Sequence, residues 1–369
     1  MTEFPQAALA LEDGAVYLGE AFGARVDVAA EVVFNTGITG YQEVTTDPSY
    51  RGQMVVMTHP QIGNYGVADS GDESVRPWVS ALIVRELADF PHHWEARTRL
   101  EDFLAEWNVP GLQGIDTRAL VRRLRDTGTQ RGVLRQAPTP AGFSATDLEV
   151  LREAARSAPS VSQLDLVTDV SALLPVVTSE DEIAVLDCGA KWNILRSLER
   201  RGVKPRVWQW NTSANEILES KPKGVLISNG PGDPAKLPTV VETLEGLVRS
   251  GTPTMGICLG HQVLGLAAGA TTNRLPYGHH GGNHPVRDLA TGRVTITTQN
   301  HEFQVVAETI PPQSGFEVSH VNLNDISVEG LRHRELPVFS VQYHPEGCPG
   351  PQDSQPLFDD FLRLAGIKL

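Results

Sequence analysis

Through the first third of the chain, short apolar runs alternate with turn residues. Ala7-Ala-Leu-Ala-Leu-Glu-Asp-Gly-Ala-Val-Tyr17 reads as a hairpin turning at Asp13-Gly14, because Asp-Gly tolerates the left-handed dihedrals of a tight turn. Further strands are predicted at 31–35, 53–58 and 79–84. Helical spacing is predicted at 99–107 and at 116–126, with Asp116 or Thr117 as N-cap and Gly128 as the stop. After residue 182 the rhythm changes. Ile183-Ala-Val-Leu186 is a buried strand, 193–201 a helix and 203–210 a strand. Gly224-Val-Leu-Ile-Ser228 is a strand running into Asn229-Gly-Pro-Gly-Asp-Pro234, then comes a helix at 240–249 and an apolar strand ending at Cys258. Strands and helices alternating at this spacing imply a parallel sheet with helices on both faces. In such sheets a ligand sits at the carboxyl ends of the strands. The Asn-Gly-Pro-Gly loop and Cys258 both fall there, so one crevice can hold both.

Between 136 and 181 the chain turns to Ala, Pro, Ser and Thr around one helical segment at 145–156. The expected organisation is a mixed α/β domain over 1–140, a connector over 141–180, and a doubly wound, mostly parallel α/β domain over 181–369. A length of 369 residues suits two domains. Hydrophobic content of 40% and charged content of 21% are those of a globular protein. A formal net charge of −14 argues against a nucleic-acid partner. Three cysteines, Cys188, Cys258 and Cys348, are too few for a disulfide framework and lack the close pairing of a structural zinc site. With no basic, apolar leader at the N-terminus and no apolar run of membrane length, the expected location is the cytoplasm. The arginines at 122, 123 and 125 read as a solvated face, with a partner-contacting patch as the second reading.

Candidate chemistry centres on Gly256-Ile-Cys-Leu-Gly260. A cysteine on a sharp strand-to-helix turn lies beside backbone N–H groups, which favour a thiolate and can hold an oxyanion. The pattern alone leaves a second reading, a cysteine that fills space. A nucleophile needs a base and a group to orient that base. An apolar strand in Pro337-Val-Phe-Ser-Val-Gln-Tyr-His-Pro-Glu346 ends at His344. Glu346 lies two residues on, which puts both side chains on one side of an extended segment. His261 enters the helix after Cys258 and faces away. The Tyr277-Gly-His-His-Gly-Gly-Asn-His284 loop carries His279, His280 and His284, but no carboxylate or cysteine completes a ligand set, so no metal is expected. The Asn229 loop lacks the Lys-Ser/Thr of a P-loop and reads as a rigid turn whose N–H groups face the thiol.

Gly256-Ile-Cys-Leu-Gly-His-Gln262, Asn229-Gly-Pro-Gly-Asp-Pro234 and His344-Pro-Glu346 resemble the three signatures of class I glutamine amidotransferases. Asn35-Thr-Gly-Ile-Thr-Gly-Tyr-Gln-Glu43, Thr46-Asp-Pro-Ser-Tyr50, Ile62-Gly-Asn-Tyr-Gly66, Gly114-Ile-Asp-Thr-Arg118 and Gly278-His-His-Gly-Gly-Asn-His-Pro285 resemble carbamoyl phosphate synthase small subunits. The resemblance implies that Cys258 attacks the glutamine side-chain amide, that His344 shuttles protons, and that Glu346 orients it. It implies an oxyanion site at the N–H groups of Leu259 and Gly230. It also implies glutamine contacts from Ser49, Gly232, Gln262, Asn300, Phe303 and the main chain of Glu302. Ser49 belongs to the first domain, so the implied site lies at the domain interface. A large partner subunit using ATP and Mg would receive the ammonia, in a heterodimer able to assemble further, for arginine and pyrimidine biosynthesis. No cofactor is expected in this chain, which carries no ATP-binding signature. Rival readings are an amidotransferase of another pathway, a non-catalytic regulator of the large subunit, and a stand-alone hydrolase of γ-glutamyl peptides. The chain departs from the pattern at Glu302, where the family usually has Gly. It departs again at Gly347-Cys-Pro-Gly-Pro-Gln352, where Ala-Ser-Pro-Gly-Pro-His is usual.

Overall fold

The computed structural model describes residues 5–171 and 183–369. The chain forms two compact units, Met1–Leu164 and Asp165–Leu369. In the first, seven strands close a barrel: β1 (Gln6–Leu11), β2 (Val16–Gly23), β3 (Val28–Asn35), β4 (Gln53–Met57), β5 (Ala81–Ile83), β6 (Pro110–Gln113) and β7 (Gln130–Gln136). The order around the barrel is β1-β2-β6-β5-β4-β3-β7. Closure leaves no sheet edge exposed among these strands. The hairpin expected at Asp13-Gly14 forms between β1 and β2, and Gly14 takes φ +92° there.

Local signals explain the helices. Helix α1 (Tyr41–Thr46) is followed by the short turn Pro48–Tyr50, where the Asp47 carboxylate accepts from Ser49 N at 2.9 Å. Helix α2 is Leu100–Glu106. Helix α3 (Thr117–Thr127) starts on Asp116, whose side chain accepts from Ala119 N at 2.9 Å, and stops at Gly128 with φ +91°. Those are the predicted cap and stop. Helix α4 (Ala145–Arg156) carries a capping box between Ser144 and Asp147. The sequence placed this helix in a connector, and here the expectation is corrected. Leu151 and Ala155 pack with Ala8, Ala10 and Val133, so α4 belongs to the first unit's core. Part of the 141–180 segment, and the boundary at 181, lie outside the described residues.

The second unit holds a nine-stranded sheet. Its strands are β8 (Ile183–Asp187), β9 (Pro205–Gln209), β10 (Gly224–Ile227), β11 (Thr254–Ile257), β12 (Thr272–Asp288), β13 (Val294–Val305), β14 (Phe316–Asn322), β15 (Val328–His333) and β16 (Val338–Val341). They run in the order β9-β8-β10-β11-β16-β15-β14-β12-β13. From β9 to β16 every ladder is parallel, as predicted. Helices α5 (Trp192–Glu199), α6 (Ala214–Glu219), α7 (Pro238–Ser250), α8 (Leu259–Ala267) and α9 (Pro356–Leu364) accompany it. Two apolar clusters flank this half, one including α7 and α8 residues such as Leu244 and Val263, the other α5 and α9 residues such as Ile194 and Phe361.

The sheet then continues through segments with little strand signal. Strands β15, β14, β12 and β13 extend it by antiparallel ladders. The reason lies in β12, read as a Gly-His loop. It is a strand with register shifts between Arg274 and His279 and between Gly281 and His284. Gly278 takes φ +68° at the first shift and Gly281 +134° at the second, so the glycines that look like loop punctuation are bulge residues.

Candidate active site

The site grows from adjacent ends of parallel strands. Strand β11 ends at Ile257, helix α8 begins at Leu259, and Cys258 makes the bend with φ +54° and ψ −103°. A side chain at positive φ is strained, and here the fold holds it. The flanking glycines allow that close turn. A Cβ on Gly256 would sit 2.7 Å from the Gly260 backbone, and one on Gly260 would sit 2.4 Å from the Ile227 carbonyl. Cys258 N donates to Val341 O at 2.9 Å, tying the elbow to β16. The thiol is buried and donates to Asn300 O at 3.5 Å.

The Asn229 loop lies beside this elbow. A Cβ on Gly230 would be 2.8 Å from Leu259 Cδ2 and 2.1 Å from Cys188 O, so only glycine fits. Ser228 Oγ accepts from Cys188 N and donates to Asn229 O, and Asn229 Oδ1 accepts from Lys191 N. Gly232 has φ +90°. Among the described residues, neither Leu259 N–H nor Gly230 N–H has an acceptor, which suits both to receive an oxyanion.

His344 follows β16, with its own N–H donating to Thr298 O at 2.9 Å. Its Nδ1 is 2.6 Å from Glu346 Oε1, and both side chains are fully buried. Glu346 is fixed in turn, its main-chain carbonyl accepting from Asn193 and Gln355. With Nδ1 committed to the carboxylate, Nε2 is the nitrogen left for proton transfer, and it has no hydrogen-bond partner within the described residues. Lys191 completes the group, with Nζ 2.9 Å from the same Glu346 Oε1 and the side chain 2% exposed. The sequence reading missed this lysine. Its signal was position: it closes Asp187-Cys-Gly-Ala-Lys191, just beyond the carboxyl end of β8, where ligands gather in parallel sheets.

Charge explains why three ionisable groups are buried together. Burial works against a charged His344, but Glu346, and then Cys258, raise it to about 10. Burial likewise works against the Glu346 carboxylate, while Lys191 and His344 bring it down to about 2. Both groups are charged at neutral pH. For His344, the raised folded value means stability fully present below its ordinary 6.5 and lost as pH climbs through about 10. For Glu346, the lowered value means stability present above its ordinary 4.5 and lost as pH falls through about 2. Unfolding free energy measured against pH is therefore expected to fall on both flanks, and the acid-side loss is expected to shrink in Glu346→Gln. An acid flank unchanged by that substitution would contradict the charged-pair account.

Strand β13 forms the remaining wall. Gln262 Nε2 donates to Phe303 O at 2.8 Å and to Gln342 Oε1 at 3.1 Å. Asn300 and Glu302 share one face of β13 by strand alternation. The Glu302 side chain turns to His280 and Arg274, and its backbone is not at positive φ, so a residue other than glycine is accommodated here. The structure thus gathers Cys258, Leu259, Gln262, Asn300, Phe303, Gly230, His344 and Glu346 around the crossing of β11, β16 and β13. Gly232 follows in the same loop as Gly230. Ser49 belongs to the first unit, buried in the turn after α1.

Two histidine expectations fare differently. His261 does point to β16, with Nδ1 2.9 Å from Ser340 Oγ, and burial lowers it to about 3. The expectation that no carboxylate joins the His279 cluster is corrected. Strand β15 and the turn before it bring Glu329 and Asp325 to His279, at 3.7 Å from Nδ1 and 2.8 Å from Nε2. His279, His301 and Glu329 also offer potential ligand atoms within 4.8 Å of one another. Burial opposes the charged ring, yet the two carboxylates raise His279 to about 9. His301 has Nδ1 2.8 Å from Phe303 O and Nε2 2.9 Å from Gln299 Oε1, and Glu329 accepts from Gln299 and Asn322.

A cysteine elbow at the head of a parallel sheet, faced by a His-Glu pair, defines a class I glutamine amidotransferase. Residues 184–364 match the family model described as glutamine amidotransferase class-I. Residues 9–134 match that described as carbamoyl-phosphate synthase small chain, CPSase domain. The carbamoyl phosphate synthase small chain of Symbiobacterium thermophilum is 51% identical over 355 residues, covering 96% of this chain and 97% of that one. The pyrimidine-specific small chain of Bacillus subtilis is 43% identical, covering 96% and 95%. The chain belongs to the carbamoyl phosphate synthase small chains. It is the glutamine amidotransferase component of that multi-subunit enzyme, and none of its described helices is long and apolar enough to cross a membrane.

Proposed function

We propose that Cys258 hydrolyses the side-chain amide of L-glutamine and that the ammonia passes to the ATP-using large subunit. The observation that carries this reading is the buried line Lys191–Glu346–His344 ending at a strained cysteine elbow. His344 Nε2 already holds the proton given up by the thiol, and the sulfur attacks the amide carbon. The oxyanion is held by the N–H groups of Leu259 and Gly230. His344 returns the proton to the leaving nitrogen, ammonia departs, and a γ-glutamyl thioester remains. Water, deprotonated by the same nitrogen, attacks the thioester, releasing glutamate and restoring the thiol. Glutamine contacts come from Ser49, Gly232, Gln262, Asn300, Phe303 and the Glu302 main chain. The triad residues are Cys258, His344 and Glu346, with Lys191 holding Glu346 charged.

Ammonia released into water near neutral pH is largely ammonium, which is not a nucleophile, so direct transfer to the partner has a chemical purpose. ATP and Mg act on that subunit, the complex is at least a heterodimer, and its place is the cytoplasm, serving arginine and pyrimidine biosynthesis. The test is to assemble the chain with its large subunit and measure glutamate and carbamoyl phosphate together. Equal yields are expected; glutamate without carbamoyl phosphate would refute the transfer.

A further inference from the structure

Position 302 carries a carboxylate, and the structure shows what it reaches. His280 in β12 lies opposite Asn300 in β13. Its Nδ1 is 3.0 Å from Asn300 Oδ1 and its Nε2 is 3.0 Å from Glu302 Oε1. The other Glu302 oxygen takes Arg274 Nη2 at 2.8 Å. The His280 side chain is fully buried and that of Glu302 is 6% exposed. Gly278 makes the room, since a Cβ there would lie 2.5 Å from His280 Nε2 and 2.9 Å from Glu302 Oε1. Asn300 itself borders the nucleophile through its carbonyl, 3.5 Å from Cys258 Sγ.

We propose that Glu302 and Arg274, acting through His280, fix the Asn300 side-chain amide and thereby set how tightly the site holds glutamine. An asparagine amide has two orientations of nearly the same shape, with donor and acceptor exchanged. Substrate recognition needs one of them held in advance, because ordering it on binding costs affinity. Burial opposes the Glu302 carboxylate, but His280 and Arg274 keep its pKa below the ordinary value. A carboxylate only accepts, so His280 Nε2 carries the hydrogen and the ring cannot turn over. Asn300 Oδ1 also only accepts, so Nδ1 carries a hydrogen toward it as well, and the clamped ring admits one orientation of the amide. His280, Glu302 and Arg274 are positioning residues in this account. The account rests on the reading of Asn300 as a glutamine contact.

The test is steady-state glutaminase kinetics of the full chain assembled with its large subunit. Asn300→Ala is expected to raise KM for glutamine, and His280→Ala to raise it about tenfold with kcat within about threefold, as expected for one buried hydrogen bond. In the double variant, His280→Ala should add nothing to Asn300→Ala. Glu302→Ala should match His280→Ala, whereas Glu302→Gln, whose amide still reaches Nε2, should stay within about threefold of wild type. A general packing defect would produce neither the coupling nor that rescue. An Asn300→Ala variant with unchanged KM would remove the glutamine contact and the relay with it. A similar rise from His280→Ala in both backgrounds, or no rise at all, would overturn the relay alone. If His280→Ala does not fold, the Glu302→Ala and Glu302→Gln pair decides, and equal KM values for those two overturn the proposal.

Discussion

Replacing Cys258 with serine is expected to lower glutamine-driven carbamoyl phosphate synthesis by at least about a thousandfold while synthesis from added ammonia continues. The two differ by one atom, so the elbow, the N–H groups and the strand end should survive. What changes is the nucleophile: a serine hydroxyl keeps its proton far more firmly than a thiol, and His344 sits in surroundings shaped to face sulfur. Ammonia bypasses this step, because it arrives as the product that Cys258 would have made. Both syntheses should be followed on the same assembled sample. Glutamine-driven synthesis within tenfold of wild type would sink the nucleophile assignment. Loss of both activities would point instead to a disrupted assembly.

Lys191→Met should have the next largest effect. Methionine keeps much of the side-chain length and removes the charge, leaving the buried Glu346 with one of its two cations. Removing one member of a buried ion pair typically costs about 3–5 kcal/mol, and the lower end is expected because His344 still faces the carboxylate. Lys191 ranks ahead of His344 among the charges that bring Glu346 down to about 2, so its loss should move that carboxyl upward. A carboxyl with a lowered folded value contributes stability that disappears as pH falls through that value. The variant should therefore lose both stability and turnover at a higher pH than wild type on the acid side. Denaturant unfolding and kcat against pH measure the two. A variant whose acid limb does not move would show that Lys191 contributes packing alone.

The structure also explains which features were readable in advance. Elements governed by local chemistry were legible. Asp116 and Gly128 bracket α3 because capping acts over one turn, and Asp13-Gly14 marks a hairpin because few residues accept its dihedrals. The parallel half of the second sheet was legible because strands buried on both faces are short apolar runs, such as Ile183-Ala-Val-Leu186. The antiparallel half was not. Strand β12 carries Pro276, Gly278, Gly281 and Pro285, and its bulges destroy the two-residue period on which strand reading depends. Helix α4 was placed outside any core because its flanks resemble a linker, while its partners lie near residues 8–10 and 133, far away in sequence. In the site, Cys258 and His344-x-Glu346 stood out by spacing. Lys191 did not, since a lysine before a helix is ordinary until Glu346, distant in sequence, is seen to need it.

The division of the sheet has a bearing on how such a site can change over generations. The parallel half supplies the bend at Cys258, where Gly230, Gly256 and Gly260 touch backbone at distances that exclude any other residue. That bend has almost no mutational freedom. The antiparallel half supplies Asn300 and its supports from irregular strands, and it accommodates the Glu302 carboxylate beside His280 and Arg274. Natural variation in substrate affinity should therefore accumulate in β12 and β13, leaving the reacting sulfur in a setting that drift can hardly touch.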